Sequence, residues 1–424
     1  MGLKKFGKAV LCRLLEMQVN RLRQRNDFII VAVAGSVGKT STKLAIASLL
    51  SSRQKVIFQD GNYNDRLTVP LVLFGRTEPG IYNIPAWLKI LWSSQLALRR
   101  PYPFEIAVLE LGTDKPGELA HFSYLQPELV VITAVAPEHM EFFVTLERVA
   151  KEELTPLAFA KDSLLNLDDI GPEYMPQETQ HSYGENPAAE YKLVKSRQQE
   201  LKGQQIEVSL KGHELSLDTP LLGKQGAKII LAATAVADLL GWPLSDIKSG
   251  LQAVGPVAGR MNVLPGVSDS QLIDDTYNSS PSAAKAALDV LFQTRAGQRV
   301  AVLGDMNELG VQSEAAHREI GAYCNPDKLD LIVTIGPESA EFLAPAAAKN
   351  GCRIKSFNNP YEAGTYVKQQ LKPGAVVLAK GSQNGVFAEE ALKILLCDPA
   401  DKAKLVRQSP YWLKLKGAAH QPIA

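Results

Sequence analysis

The chain has 424 residues, 46% of them hydrophobic, which is enough for two or three domains with substantial cores. A formal net charge of +1 with 21% charged residues gives no bulk reason to expect a nucleic-acid partner. The four cysteines, Cys12, Cys324, Cys352 and Cys397, are far apart, with no C-x-x-C and no histidine at metal-site spacing. They argue against a disulfide-stapled module or a structural zinc and for a reducing cytoplasm.

Residues 4–25 place Phe6, Val10, Leu11, Leu14, Leu15 and Leu22 at helical spacing, with Lys4, Lys5, Lys8, Arg13, Arg21, Arg23 and Arg25 on the remaining positions. Arg13, Glu16, Gln18 and Asn20 interrupt the apolar run, so it is not a secretory signal. Such a helix either packs on the domain that follows or lies on an anionic membrane. The apolar run Phe28–Val33 then predicts a strand, and Ala34-Gly35-Ser36-Val37-Gly38-Lys39-Thr40-Ser41-Thr42 a glycine turn opening a helix. That combination predicts a nucleotide-phosphate site. Gly35 and Gly38 let the backbone aim its N–H groups at phosphate oxygens, Lys39 reaches the outer phosphates and Thr40 ligates Mg²⁺. The loop is shorter than GxxxxGK[ST], because Val33 stands where the first glycine would be.

Strand-like runs at 55–59, 106–111, 129–134 and 163–167 alternate with helical ones and predict a mostly parallel sheet with helices on both faces. Between them, residues 84–100 form a second amphipathic stretch with Trp87, Trp92, Arg99 and Arg100, residue types that favour membrane interfaces. Glu110 ends the third strand at the carboxyl edge of the sheet, in position to hold Mg²⁺ opposite Thr40, and His139 follows the next strand as a second metal ligand. Residues 204–217 alternate apolar and polar positions around a turn at 211–214 and predict an antiparallel hairpin. A helix over 229–240 and a hinge at 255–259 close this region. A second alternation, at 271–274, 300–303, 331–335, 354–357 and 375–378, predicts a separate α/β domain, and the residues after Trp412 read as a loosely held tail. The expected fold is thus α/β, with a basic helix (1–27), a central P-loop ATPase domain of mostly parallel sheet plus hairpin (28–256), a Rossmann-like domain (257–410) and a tail (411–424).

In this order the motifs resemble those of the Mur ligases, and among them the MurF type. Gly35–Ser41 is similar to their ATP loop. Gly61-Asn62-Tyr63-Asn64-Asp65 resembles the GNxNN substrate loop, with Asp65 for the last Asn, and Glu110-Leu111-Gly112 through Pro116-Gly117-Glu118 resembles ELGxxxPGE. Ile132-Thr133 through His139, Asn166-Leu167-Asp168-Asp169, Gly259-Arg260, Asp274-Asp275-Thr276-Tyr277-Asn278, Gly304-Asp305-Met306 with Glu308-Leu309-Gly310, and Lys380-Gly381-Ser382 continue the match, over residues 28–395. The resemblance implies an ATP-dependent amide ligase that activates a carboxylate as an acyl phosphate for attack by an amine. Lys39, Arg260 and Mg²⁺ would neutralise charge on the transferring phosphoryl group, with Arg260 delivered by domain closure. Asp275 would meet the ribose, Tyr277 and Asn278 the nucleotide, and Asn62, Asn64, Asp65, Lys380 and Ser382 the substrates. The implied partners are a muramyl-peptide precursor and an amino acid or dipeptide such as D-Ala-D-Ala, with no nucleic acid. The implied place is the cytoplasm, with membrane or partner-protein contact through residues 1–27 and 84–100.

Several positions depart from the family pattern. Only one helix precedes the P-loop, where the family has a UDP-binding domain. The carrier end of the substrate would then be gripped by residues 76–104, be lipid-linked, or require a partner protein. Gly223-Lys224-Gln225-Gly226 replaces a G-x-H-N turn, Ile229 and Ser280 replace asparagines and Gln383 an arginine. In the MurF type a lysine about fourteen residues after the metal-binding histidine takes up CO₂ as a carbamate. Counting from His139 reaches Glu153, whose carboxylate already carries the oxygen charge that a carbamate supplies to Mg²⁺. Two other functions fit the same motifs: another Mur-type ligase, such as a poly-glutamate synthase or a lipid-precursor amidating subunit, and a non-catalytic ATP-binding scaffold.

Overall fold

A computed structural model of the chain describes residues 3–61, 63–80, 82–177 and 180–420. The first sheet is built from β1 (Ile29–Ala34), β2 (Val56–Phe58), β3 (Ile106–Glu110), β4 (Leu129–Ile132), β5 (Ser163–Asn166), β6 (His181–Gly184), β7 (Tyr191–Gln198), β8 (Gln204–Leu210) and β9 (His213–Thr219). Their spatial order is β2-β3-β1-β4-β5-β6-β7-β8-β9. Pairing is parallel from β2 to β7 and antiparallel from β7 to β9. The central strands read as continuous apolar runs because both faces are covered. Around them lie α1 (Leu3–Arg25), α2 (Lys39–Ser51), α3 (Thr68–Leu73), α4 (Ile84–Ala97), α5 (Met140–Phe143), α6 (Leu146–Glu153), α7 (Gly223–Leu239) and α8 (Leu244–Gly250). Val31 and Val33 point into a core shared with Ile46 and Leu50 of α2 and Ile230 of α7, while Ile30 and Ala32 point into one shared with Val19 and Leu22 of α1.

The second sheet contains β10 (Asn262–Pro265), β11 (Gln271–Asp275), β12 (Arg299–Gly304), β13 (Leu331–Ile335), β14 (Ile354–Phe357) and β15 (Val376–Lys380), in the order β10-β11-β15-β12-β13-β14. Only the edge pair β10–β11 is antiparallel. Its helices are α9 (Pro281–Gln293), α10 (Ser313–Tyr323), α11 (Ala344–Lys349), α12 (Pro360–Gln370), α13 (Glu389–Leu395) and α14 (Pro410–Ala419). In the first sheet the order reverses at β1, between β3 and β4, and ligands bind at such a switch point, outside the carboxyl ends of the strands.

The basic N-terminal helix forms and packs on the central domain. Leu15, Val19 and Leu22 are fully buried, each contributing about 2 kcal/mol of apolar burial. Three strands escape a reading by periodicity. β6 is four residues long, β7 loses its alternation after Leu193 at a bulge, and β10 is a short edge strand. The helix expected from residue 229 starts at Gly223. The expected loose tail is instead helix α14. Its Lys416, 1% exposed, lies 2.8 Å from Glu389 and 2.6 Å from Glu390, and Trp412 meets Phe387 edge-on. The polar residue that disguises this helix in the sequence is the one that anchors it.

Candidate active site

The P-loop connects β1 to α2 at the switch point. Gly35 has φ 122°, and a Cβ there would stand 2.4 Å from Thr133 Oγ1, so β4 leaves room for no side chain. Gly38, at φ 90°, caps α2 in the left-handed region. Ser36 ties the loop to β4's exit, its N–H donating to Ala134 O at 2.9 Å and its Oγ accepting from Ala136 N–H at 3.1 Å. Val37 and Ser41 line the cleft beside the loop glycines.

Lys39, on the first turn of α2, reaches Glu138 at 3.3 Å and Glu153 at 4.0 Å and donates to Ser36 O at 3.2 Å. Burial opposes its charge, but the two carboxylates, with Glu110 behind them, raise its pKa above the ordinary lysine value. Glu153, 2% exposed near the end of α6, accepts the Gly35 N–H at 2.8 Å. Burial pushes its carboxyl up to about 7, against the pull of Lys39 and the Gly35 N–H and with help from Glu138.

Thr40 and Glu110 are brought together. Glu110 Oε1 accepts from Thr40 Oγ1 at 3.2 Å and from Asn64 Nδ2 at 2.9 Å. Oε2 is buried without a hydrogen bond and faces Lys43 Nζ at 3.4 Å. Gln59 clamps the backbone of Glu110 on both sides, donating to its carbonyl at 2.9 Å and accepting its N–H at 2.8 Å. A buried carboxylate whose second oxygen meets only Lys43, beside a threonine hydroxyl, is the hard-oxygen donor set that Mg²⁺ takes. His139 and Glu153 do not converge on that pair. His139 Nδ1 lies 2.8 Å from Glu308 of the second domain, and its Nε2 faces Asp114 at 3.5 Å. Burial disfavours its charge, but Glu308, Glu138 and Asp114 together raise its pKa. Among the described residues no group of three or more His, Cys, Asp or Glu gathers as a metal site.

From the second domain, Arg260 donates through Nη2 to Thr40 Oγ1 at 3.1 Å, stacks 4.2 Å from the Tyr277 ring and keeps a buried Nε without a partner. Asp275 is held by Lys380 at 2.6 Å and accepts the Met261 N–H at 3.2 Å; Lys380 also donates to Asn278 O at 3.0 Å. Ser382 joins two loops, accepting the Asn307 N–H at 2.9 Å and donating to Ser279 O at 3.3 Å. Arg407, itself paired with Glu389, donates to Tyr277 O at 2.9 Å and to Thr276 O. Asp65 caps the start of α3, accepting from Thr68 N–H at 2.8 Å and Thr68 Oγ1 at 2.7 Å, and pairs with Lys8 of α1 at 3.2 Å. Its carboxylate is therefore engaged within the fold. Asn62 lies outside the described residues.

Lys39, Thr40, Glu110, His139, Arg260 and Asp275 line one cleft of about 760 Å³, to which Gly223–Gly226 and Ile229 of α7 and Lys8, Ala9 and Cys12 of α1 also contribute, whereas Glu153 and Ser382 do not line it. The roles of Lys43, Gln59 and Glu138 were not read from the sequence. Lys43 was within reach of that reading, since it lies one helical turn after Lys39 and so on the same face of α2.

The chain is similar to known proteins over both of its domains. Residues 90–237 match the Mur ligase middle domain and residues 259–383 the Mur ligase glutamate ligase domain. The UDP-N-acetylmuramoyl-tripeptide–D-alanyl-D-alanine ligase of Bacillus subtilis is 30% identical over 378 residues, covering 87% of this chain and 76% of the relative. The Haemophilus influenzae ligase of the same name is 31% identical over 382 residues, covering 86% and 76%. The crystal structure of MurF ligase from Thermotoga maritima in complex with ADP superposes with a TM-score of 0.74, covering 91% of this chain and 83% of that one at 24% identity, a likeness of fold.

Proposed function

As the chain belongs to the Mur ligase family, in its MurF-like branch, we propose that it joins the carboxylate of a muramyl-tripeptide precursor to the amine of D-Ala-D-Ala, with ATP converted to ADP and phosphate. A single observation carries this reading. P-loop residues Lys39 and Thr40, the strand-end carboxylate of Glu110 and Arg260 of the second domain meet in one cleft. An oxygen of the substrate carboxylate attacks the γ-phosphorus of ATP, the bond to the β-γ bridging oxygen breaks, and ADP leaves an acyl phosphate. The amine then attacks the acyl carbon, phosphate departs with the C–O bonding pair, and the amine nitrogen loses its proton to give the amide.

In this reading the loop N–H groups from Gly35 to Ser41 cradle the phosphates, Lys39 turns from Glu138 to the outer phosphate, and Arg260 lays its free guanidinium edge against the transferring group. Thr40 Oγ1 and Glu110 Oε2 would hold one Mg²⁺, which supplies further neutralisation of phosphate charge. Glu153 orients the P-loop through Gly35 and balances Lys39, and His139 ties the two domains through Glu308. Asp275, Tyr277 and Asn278 edge the nucleotide. Asn64 and Asp65, and Lys380 and Ser382, edge the substrates. The compartment is the cytoplasm, with peripheral contact at the inner membrane face. The test is phosphate release from ATP with UDP-linked and lipid-linked muramyl tripeptides and D-Ala-D-Ala. Release that requires both acceptor and donor supports the ligase, and release indifferent to either overturns it.

A further inference from the structure

The near-zero net charge conceals a segregation. Residues 1–26 and 79–104 carry ten Lys or Arg and one acid, whereas the rest of the chain carries 36 Lys or Arg and 44 Asp or Glu. These two basic stretches meet in space. Gln18 Nε2 donates to Leu91 O at 2.8 Å, Arg21 reaches Gln95 at 3.5 Å and Arg25 donates to Leu98 O at 3.1 Å, so α1 and α4 run side by side in the same direction. Cys12, Leu15 and Trp87 are buried together along this seam, which fixes the helix pair to the domain.

The outer faces of the pair are apolar where a water-facing surface would be polar. Ile84, Leu88, Trp92 and Leu96 recur every fourth residue along α4, with Leu88 62% and Trp92 67% exposed. Val10, Leu14 and Met17 form a second exposed row on α1. Around these rows Arg13, Lys89, Arg99 and Arg100 are exposed, and among the described residues none of them meets a carboxylate. The one acid, Glu16, is occupied by Arg66 at 2.6 Å. Among the described residues no helix is long and apolar enough to cross a membrane, so such a face lies on a surface rather than through it.

We propose that the outer face of the α1–α4 pair docks on an anionic phospholipid surface, with the Leu88–Trp92 row entering the headgroup boundary and the unpaired Arg and Lys side chains meeting lipid phosphates. This deepens the reading of peripheral membrane contact given above and stands independently of which amide is made. Charge complementarity selects this occupant, because an apolar strip rimmed by cations without counter-charges suits acidic headgroups, and tryptophan favours that depth. The docking has a consequence for the substrate. Lys8, Ala9 and Cys12 of α1 line the cleft, so the docked helix sets the cleft beside the lipid surface, where a precursor carried on a membrane lipid is delivered.

Co-sedimentation of the full chain with vesicles of mixed phosphatidylglycerol and phosphatidylcholine, against phosphatidylcholine alone, tests the proposal. Binding is expected on the anionic vesicles only, to weaken with salt, and to fall at least about 25-fold in Arg99→Glu/Arg100→Glu, at about fivefold for each basic charge removed. Leu88→Asp should also release the protein, and the emission of Trp92, isolated by comparison with Trp92→Phe, should shift to the blue on the vesicles. ATP turnover on a soluble UDP-linked precursor should be unchanged in these variants, so a failed assay of the ligase is distinguishable from a failed docking. Absence of vesicle binding, equal binding to neutral vesicles, or binding indifferent to both variants overturns the proposal. So does a dimer in sedimentation velocity that Leu88→Asp dissolves without any vesicle binding, which would make a second copy the occupant.

Discussion

Replacing Glu153 by Gln separates what this residue does for stability from what it does for turnover. In the folded state its carboxyl is pushed up to about 7, against an ordinary glutamate value of 4.5, chiefly by burial at the end of α6. A folded-state pKa above the unfolded one means that the native state binds the extra proton between pH 4.5 and 7, so stability falls as pH rises through that window. At about 1.4 kcal/mol per pH unit the difference corresponds to roughly 3 kcal/mol at pH 8. The amide keeps an oxygen for the Gly35 N–H and removes that burden, but it deprives Lys39 of a carboxylate at 4.0 Å. The net expectation is a gain of about 1–2 kcal/mol at pH 8, or roughly 2–6 °C in Tm, shrinking towards zero at pH 4.5. Turnover should move the other way and fall sharply. Melting curves of native and variant protein from pH 4.5 to 8, with phosphate-release rates at the same pH values, check both. A variant less stable than the native chain at pH 8, or one with unchanged turnover, refutes the reasoning. Glu153→Lys should regain part of the activity only when bicarbonate is supplied, and the native enzyme should ignore bicarbonate.

Lys39→Ala should abolish ATP turnover and leave the circular dichroism spectrum intact, because Lys39 contacts carboxylates rather than core and, in the proposed reading, turns from them to the outer phosphate. Arg260→Ala should lower kcat far more than it weakens ATP binding, since its free guanidinium edge addresses the group in transfer; equal losses measured by turnover and calorimetry would reduce it to a binding residue. Glu110→Gln should raise the Mg²⁺ concentration needed for half-maximal turnover at least tenfold in a metal titration, because the side chain loses its charge. Lys416→Ala should destabilise the second domain by about 3–5 kcal/mol in denaturant unfolding, because it leaves Glu389 and Glu390 buried without their shared cation. Burial opposes the charge of Glu390 but Lys416 prevails and holds its pKa below the ordinary value. The native chain should therefore lose that stability as pH falls below 4.5 and the variant should not.

The two-sheet architecture was legible because β1, β3, β4, β12, β13 and β15 are buried on both faces and leave apolar runs in the sequence. Gly35 and Gly38 announced the P-loop because both hold positive φ, and at Gly35 no side chain fits. The positions that escaped depend on contacts far apart in the chain. Glu138 lies far along the chain from the P-loop and meets Lys39 only when the loop after β4 is set beside β1, and Glu153, marked in the sequence as a metal ligand, turns instead to Lys39 and the Gly35 N–H. Asp65 was read as a substrate contact by its place in a motif. What the motif does not announce is that Thr68 and Lys8, a short helix start and a distant helix, share its carboxylate. α14 looked like a tail because its anchor is a lysine, and no local pattern distinguishes a lysine that will be buried between glutamates from one left in water.

That last helix also sets the order in which the molecule can become competent. Chains emerge from the ribosome N-terminus first, and domains fold as they appear. The P-loop, Glu110 and Glu153 all belong to the portion made before the second domain, so the loop and its carboxylates exist while that domain is still being translated. Tyr277, which stacks on Arg260, takes its backbone support from Arg407, and Arg407 shares Glu389 with Lys416. The Tyr277 edge of the second domain is therefore completed only when Arg407, 130 residues further along the chain, has been made, and a nascent chain shorter than that lacks the brace under the ring on which Arg260 stacks.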